Sequence, residues 1–486
     1  MSLIRLDVLA HADFHGQFRE DEENPGLSRF FCCTDSIRKL NPEYTLLLDA
    51  GDESKCLWHG KDVYEGLSLL QTDAMVLGNH EFDRGEADLL ECISYANADF
   101  PVLCANIINR ESGKPIKGTL PYILIHKKDV TIGILGLSSS YTPYIVEKSA
   151  FEPFEMLDSV TVIRQYVPRM KAEGADIIIL LTHFPFYPDE SGELFDVFDK
   201  VKDLPIDIFI GGHIPGDFAK VIDQTAIVKG GFHGVSLPHV TLFYDTELHR
   251  IVGRQAEVLD VINDYTQKDE AADRFVEKVV SPYREYYEEE IAIAEEEIPM
   301  YLNKESPLGD LISDAVRDAA DTDVVYLNCT SCGRGLKKGI ITPYKVSKGI
   351  YFNEHIQVTK MSGKDLRMLF ELVHEPEIFG NNAEVMFSGL RVQIDHNQPA
   401  GKKVISIQRD GVEIDENCIY SVATSKYMSS GGNGTSSFAE RFRFHELSIT
   451  THQAIIQYLR KKERIKAEID QRYVFIGTPE NDHAPW

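Results

Sequence analysis

The sequence has no long hydrophobic run. Its tightest apolar stretch, Ile177 to Leu181, falls far short of the roughly 18 residues that a membrane-spanning helix needs. The N-terminal segment MSLIRLDVLAHADFHG has neither the apolar core nor the small-residue cleavage site of a secretory signal. Asp7 and Asp13 interrupt it. A cytoplasmic location is expected. Positive charge is also scarce. The chain has 50 Lys and Arg against 77 Asp and Glu, a net charge of −27 with histidine neutral. Such a surface repels polyanions, so neither nucleic acid nor an anionic membrane is expected as a partner. A small anionic substrate would need a local source of positive charge.

A second C-x-x-C is missing. Of the eight cysteines only Cys329 and Cys332 form one, and Cys32 and Cys33 are adjacent. A structural zinc site needs four ligands, so reduced thiols are expected, with a Cys329–Cys332 redox pair as the alternative. There is no internal repeat. Gly431, Gly432 and Gly434 are not followed by a helix carrying Lys-Ser/Thr, which excludes a P-loop.

What is present is ordinary globular composition: 486 residues, 43% apolar and 26% charged, enough for two or three domains. The first half repeats one pattern, an apolar β-branched run ending in a short polar motif. Ile4–Ala10 leads into HADFHG, Tyr44–Leu48 into DAGD, and Ala74–Leu77 into GNHEFD. Asp176–Leu181 leads into THF, and Ile206–Ile210 into GGH. These read as buried strands of an α/β domain, whose ligands gather at the carboxyl ends of strands. IVKGGFHG and PHVTLFYDT read as further strands, the latter at an edge or in a second sheet. Residues 263–299 are dense in Glu, Lys and Tyr and read as an acidic, largely helical connector. A second domain starts near Met300. Its first helix lies in ESPLGDLISDAVRDAAD, with Ser306 as N-cap and Pro307 at the first helical position.

Successive strand ends carry Asp13 and His15, Asp52, Asn79 and His80, His183, and His213. Each suits a divalent metal of the zinc, manganese or iron kind. In extended chain, Asp13 and His15 would point the same way and reach one ion. A single polar residue at a strand end is usually a cap; five such ends in succession point to a metal centre.

DFHG, GD, GNHEFD, a lone histidine after a strand and GGH, in that order, resemble the calcineurin-like metallophosphoesterases. ESPLGDLISDAVRDAAD, LNCTSCGRGL, YFNE and SSGGNG resemble the second domain of the bacterial 5'-nucleotidase and UDP-sugar hydrolase family. The resemblance implies an α/β (α+β) chain. A four-layer metallophosphoesterase β-sandwich flanked by helices would occupy 1–262, and a smaller α/β 5'-nucleotidase domain 300–486, with the connector between them. It implies two divalent ions (Mn, Zn, Fe or Co), one held by Asp13 and His15 and one by Asn79, His183 and His213, bridged by Asp52. His80, oriented by Asp83, would be the catalytic dyad. Phe352 and Tyr427 would stack the base, with Arg334, Asn328 and Asn433 beside the substrate.

The implied activity is phosphate release from nucleotides by attack of a metal-bound hydroxide. UDP-sugar diphosphatase and 2',3'-cyclic nucleotide phosphodiesterase activities are alternatives. A nucleotide-binding protein with an impaired metal site is the alternative of another class. One departure motivates that last reading: where the family has a second histidine after GGH, this chain has Pro215. His233, or less directly His11 or His239, could substitute; water could fill the position; or the first site could be weak. Positive charge for a phosphate would then come from metal, helped by Arg334.

Overall fold

A computed structural model describes residues 3–54, 60–301, 304–333, 335–351, 353–374, 385–432 and 435–477. Arg334, Phe352 and Asn433 lie outside these residues. The chain forms two compact units, Met1–Pro282 and Tyr283–Trp486.

The first unit is built on two six-stranded sheets. The strands of these two sheets are β1 (Leu3–His11), β2 (Thr45–Asp49), β3 (Ala74–Val76), β4 (Val102–Leu103), β5 (Tyr122–Lys127), β6 (Val130–Leu137), β7 (Ile177–Thr182), β8 (Ile208–Ile210), β9 (Phe218–Ile222), β10 (Thr225–Lys229), β11 (Ser236–Asp245) and β12 (Arg250–Asp260). The orders are β12-β11-β1-β2-β3-β4 and β9-β10-β8-β7-β6-β5. β1 to β4 run parallel, as do β6, β7, β8 and β10.

The run IIILLT in β7 is apolar on both faces because both are covered. Ile177, Ile179 and Leu181 meet Leu6, Val8, Leu46 and Leu48 of the other sheet. Ile178 and Leu180 face helices α2 (Ser159–Ala172) and α3 (Glu193–Val201) through Ile163, Val167, Leu194 and Phe198. PHVTLFYDT lies inside the first sheet, paired antiparallel to both β1 and β12. It is therefore neither the edge strand nor the second-sheet strand that its alternation suggests; β12 takes the edge.

The acidic stretch 263–299 is divided between the units. Its helix Glu270–Val280, capped by Asp269, belongs to the first, where Asp269 exchanges hydrogen bonds with the Ser28 hydroxyl of helix α1 (Gly26–Leu40). Its strand Ala292–Ala294 belongs to the second, between Gly339–Ile341 and Arg464–Ile465.

The second unit has a five-stranded sheet and a helix at Pro307–Ala320. That helix is capped as expected, the Ser306 hydroxyl accepting from Gly309 N–H at 3.2 Å. Cys329 and Cys332 are not joined in a disulfide and lie within its core, and burial pushes the Cys332 thiol up to about 12. A thiol so resistant to ionisation is a poor redox nucleophile, which counts against the redox alternative. No described helix is long and apolar enough to cross a membrane.

Candidate metal centre

The loops that follow β1 and β2 are zipped together by main chain. Asp13 N–H donates to Gly51 O at 2.8 Å, and His15 N–H to Asp52 O at 3.2 Å. The turns are tight enough that Asp13, His15, Asp52 and His213 all adopt left-handed backbone, with φ between 52° and 70°. The extended geometry expected for Asp13 and His15 is therefore wrong. Their side chains converge through two left-handed residues rather than through strand alternation. Glycines permit the close approach: a Cβ on Gly78 would stand 2.2 Å from Asp52 Oδ1, and one on Gly51 would stand 2.5 Å from Gly78 N.

Asp52 is the hub. Its Oδ2 lies 3.0 Å from His183 Nε2, 3.7 Å from His80 Nε2 and 4.0 Å from His15 Nε2. Its Oδ1 accepts His80 N–H at 2.8 Å. Asp13 Oδ1 is 3.6 Å from His15 Nε2, and its Oδ2 accepts His213 N–H at 3.1 Å. Two donor groups result, His15–Asp52–His80 and Asp52–His183–His213, each with donor atoms within 4.8 Å of one another and with Asp52 common to both. His80 and Asp83 stand at the ends of one 3-10 turn, whose i and i+3 side chains eclipse. Their Nδ1 and Oδ2 are 2.7 Å apart.

The donors fit a divalent metal. Asn79 is buried, and its carboxamide oxygen has no hydrogen-bond partner among the described residues. His183 Nδ1–H donates to Ala50 O at 2.6 Å, which fixes the tautomer and leaves Nε2 facing Asp52. Burial raises the Asp52 carboxyl, but the charges of His183 and His80 and the hydrogen bonds from His15 and His183 outweigh it. They hold Asp52 well below the carboxylate range. Burial lowers the His183 imidazole; Asp52 reverses this and brings it up to about 10. A cation on His183 Nε2 would take the place of that proton.

Glu81 organises these loops without itself standing among the donors. Its carboxylate accepts N–H from Gly78 (2.7 Å), Asp52 (3.0 Å) and Glu53 (2.9 Å), tying the β2 and β3 loops together. Its position inside GNHEFD was the available signal.

The remaining candidates separate. His233 lies beside His15, with its N–H on Asp13 O at 3.0 Å. His239 is held by Asp7 at 2.8 Å and Glu257 at 3.1 Å, between strands and away from these loops. His11 pairs with Glu53 at 3.2 Å in a fully buried group with Asp49. Burial raises both of those carboxyls well above their usual values, which favours their protonated forms. In the second unit, Asn328 is buried at the end of strand Val324–Asn328. Tyr427 N–H donates to Glu354 at 3.0 Å, and its ring is so close to Gly432 that a Cβ there would meet it at 2.4 Å.

Residues 6–217 match the calcineurin-like phosphoesterase family, and residues 290–440 match the 5'-nucleotidase C-terminal domain. The chain belongs to the 5'-nucleotidase-like metallophosphoesterases. It is 25% identical to a snake venom 5'-nucleotidase of Naja atra across 97% of this chain and 98% of that protein. It is 24% identical to a 5'-nucleotidase of Homo sapiens across 97% and 91%. Among solved structures, a 5'-nucleotidase precursor of Thermus thermophilus superposes with a TM-score of 0.81 at 21% identity, over 98% of this chain and 100% of that one. A sulfate thiohydrolase of Thermus thermophilus superposes at 0.75 with 18% identity, over 99% and 98%, so the fold alone does not select a substrate. As a 5'-nucleotidase-like metallophosphoesterase, the chain is a hydrolase of phosphoesters; calcineurin-like metallophosphoesterases bind divalent metals, and this chain carries candidate groups for them.

Proposed function

We propose that the chain releases phosphate from nucleotides at a dinuclear metal centre in its first unit. The observation that carries this is the position of Asp52, whose carboxylate lies within 4.0 Å of His183, His80 and His15, with Asp13 beside His15 and His213 beside His183. Asp13, His15 and Asp52, joined by His233, hold one cation. Asp52, Asn79, His183 and His213 hold the other. Two such ions activate water and neutralise phosphoryl oxygens in an in-line displacement.

The protein's own groups do the rest. Asp83 accepts from His80 Nδ1 and so orients His80 Nε2 toward the reacting group, where it stabilises charge or supplies a proton. The intact His80–Asp83 pair favours an enzyme over a nucleotide-binding protein with a dead site. The nucleotide assignment rests on relatives named 5'-nucleotidases that align over nearly the whole chain. In the second unit we assign base stacking to Tyr427 with Phe352, and substrate contacts to Asn328, Arg334 and Asn433.

The test is phosphate release from nucleoside monophosphates, UDP-sugars and 2',3'-cyclic nucleotides, with manganese, cobalt, zinc or iron added to chelator-treated protein. Turnover of monophosphates is expected, abolished by chelator. Absence of metal-dependent turnover on every substrate overturns the reading; a preference for either other class replaces its substrate.

A further inference from the structure

The two cation positions are unequally furnished. Asp52, Asn79, His183 and His213 give one of them four donors. Asp13, His15 and Asp52 give the other three, and Pro215 offers none. The ring of His233 stands beside the poorer set. Its centroid is 5.6 Å from that of His15 at an interplanar angle of 69°, close to the 5.3 Å and 77° that relate His183 and His213. It shares the left-handed backbone of the other loop residues, with φ 56°, and its N–H is anchored on Asp13 O.

A histidine ligand needs one tautomer, set by the hydrogen bond at its other nitrogen. His233 Nδ1 is 3.1 Å from Asn24 Oδ1. Which end of the Asn24 amide faces the ring is decided by Asp21. Asn24 Nδ2 donates to Asp21 Oδ2 at 3.1 Å, and a carboxylate only accepts, so the amide oxygen must be the end toward His233. An amide oxygen also only accepts, so Nδ1 carries the hydrogen and the lone pair of the neutral ring lies on Nε2. Asp21 is itself fixed in a turn. Its Oδ1 accepts N–H from Glu23 at 2.8 Å and from Asn24 at 3.1 Å, and its own N–H donates to Asn24 O at 3.1 Å. Asn24 is 1% exposed, so water does not compete for its amide.

We infer that Asn24, oriented by Asp21, is a positioning residue that presents Nε2 of His233 to the first cation. This rests on the dinuclear reading proposed above. The test is a manganese titration of the metal-free full-length chain by calorimetry and electron paramagnetic resonance, with circular dichroism and the thermal midpoint checking the fold. The wild type is expected to bind two ions. Asn24→Leu should weaken one of the two affinities by about 10- to 100-fold, His233→Ala should weaken the same one at least as much, and both should leave the other unchanged. The combined variant should be no weaker than His233→Ala alone. The exchange D21N/N24D moves the amide donor to position 21 and the acceptor to position 24, so it should restore both affinities.

Wild-type affinities for both ions in either single variant overturn the inference. An exchange variant no better than Asn24→Leu also overturns it, by leaving Asn24 only a packing role. A wild type that binds fewer than two ions overturns the dinuclear reading itself, and that result is visible before any variant is made.

Discussion

Asp52 in the first unit and Asp310 in the second are both buried, and burial raises the carboxyl of each. They end on opposite sides. Asp52 faces histidines, whose charges and hydrogen bonds pull it well below the carboxylate range. Asp310 faces the charge and hydrogen bond of Glu305 and the charge of Asp470. Its counter-ion Arg472, 3.6 Å away, is also engaged by Asp314 and Asp470 at 2.8 Å each. Burial and Glu305 together outweigh Arg472 and push Asp310 up to about 8. Desolvation therefore sets the stakes at a buried carboxyl, and its neighbours set the sign. Asp52 keeps a buried negative charge; Asp310 keeps a proton.

The largest effect is expected from Asp52→Asn. With the shared donor gone, phosphate release should fall to background and metal content below two ions per chain. The His183 imidazole, left with burial opposed only by the charge of Asp13 and the Ala50 carbonyl, should fall from about 10 in a histidine NMR titration of the metal-free protein. A His183 that stays high would break the comparison. His80→Ala should lower phosphate release by about 10²- to 10⁴-fold while both ions remain bound by elemental analysis. Gly78→Ala removes no donor but drives a methyl into Asp52 Oδ1. Metal affinity should weaken by about 10- to 100-fold, as for lost support around a ligand, measured by manganese titration.

The smallest effect is on stability alone. Asp310 keeps its proton to about pH 8 when folded and to only about 3.8 when unfolded. Between those values the folded state holds one more proton at this site, so the contribution of Asp310 to stability is full below about 3.8 and fades as pH rises toward 8. Asp310→Asn places a permanent donor there and should flatten that slope in denaturant melts at a series of pH values, with phosphate release unchanged. An unchanged slope would leave the contrast with Asp52 without support.

The candidate metal-site residues stand out in the sequence because parallel strands buried on both faces are continuous apolar runs. The chemistry then stands directly after each run, as in IIILLT before His183. Strand alternation is the wrong reason for the convergence of Asp13 and His15, since spacing cannot reveal a left-handed turn at a non-glycine residue. Asn24 was invisible for another reason: it lies 209 residues from His233, in a loop with no periodicity of its own. PHVTLFYDT alternates like an edge strand, yet β12 covers it. Pairing partners are a property of the sheet rather than of the strand.

The left-handed turns at Asp13, His15, Asp52 and His213 have a consequence for how variants of this protein would be selected. Each such conformation costs an L-residue about 1–2 kcal/mol that glycine would not pay. A screen for thermal tolerance in chelator would therefore enrich glycine at these four positions and discard the donors. The same screen in manganese would retain them, because bound cation stabilises only the chain that still carries its ligands.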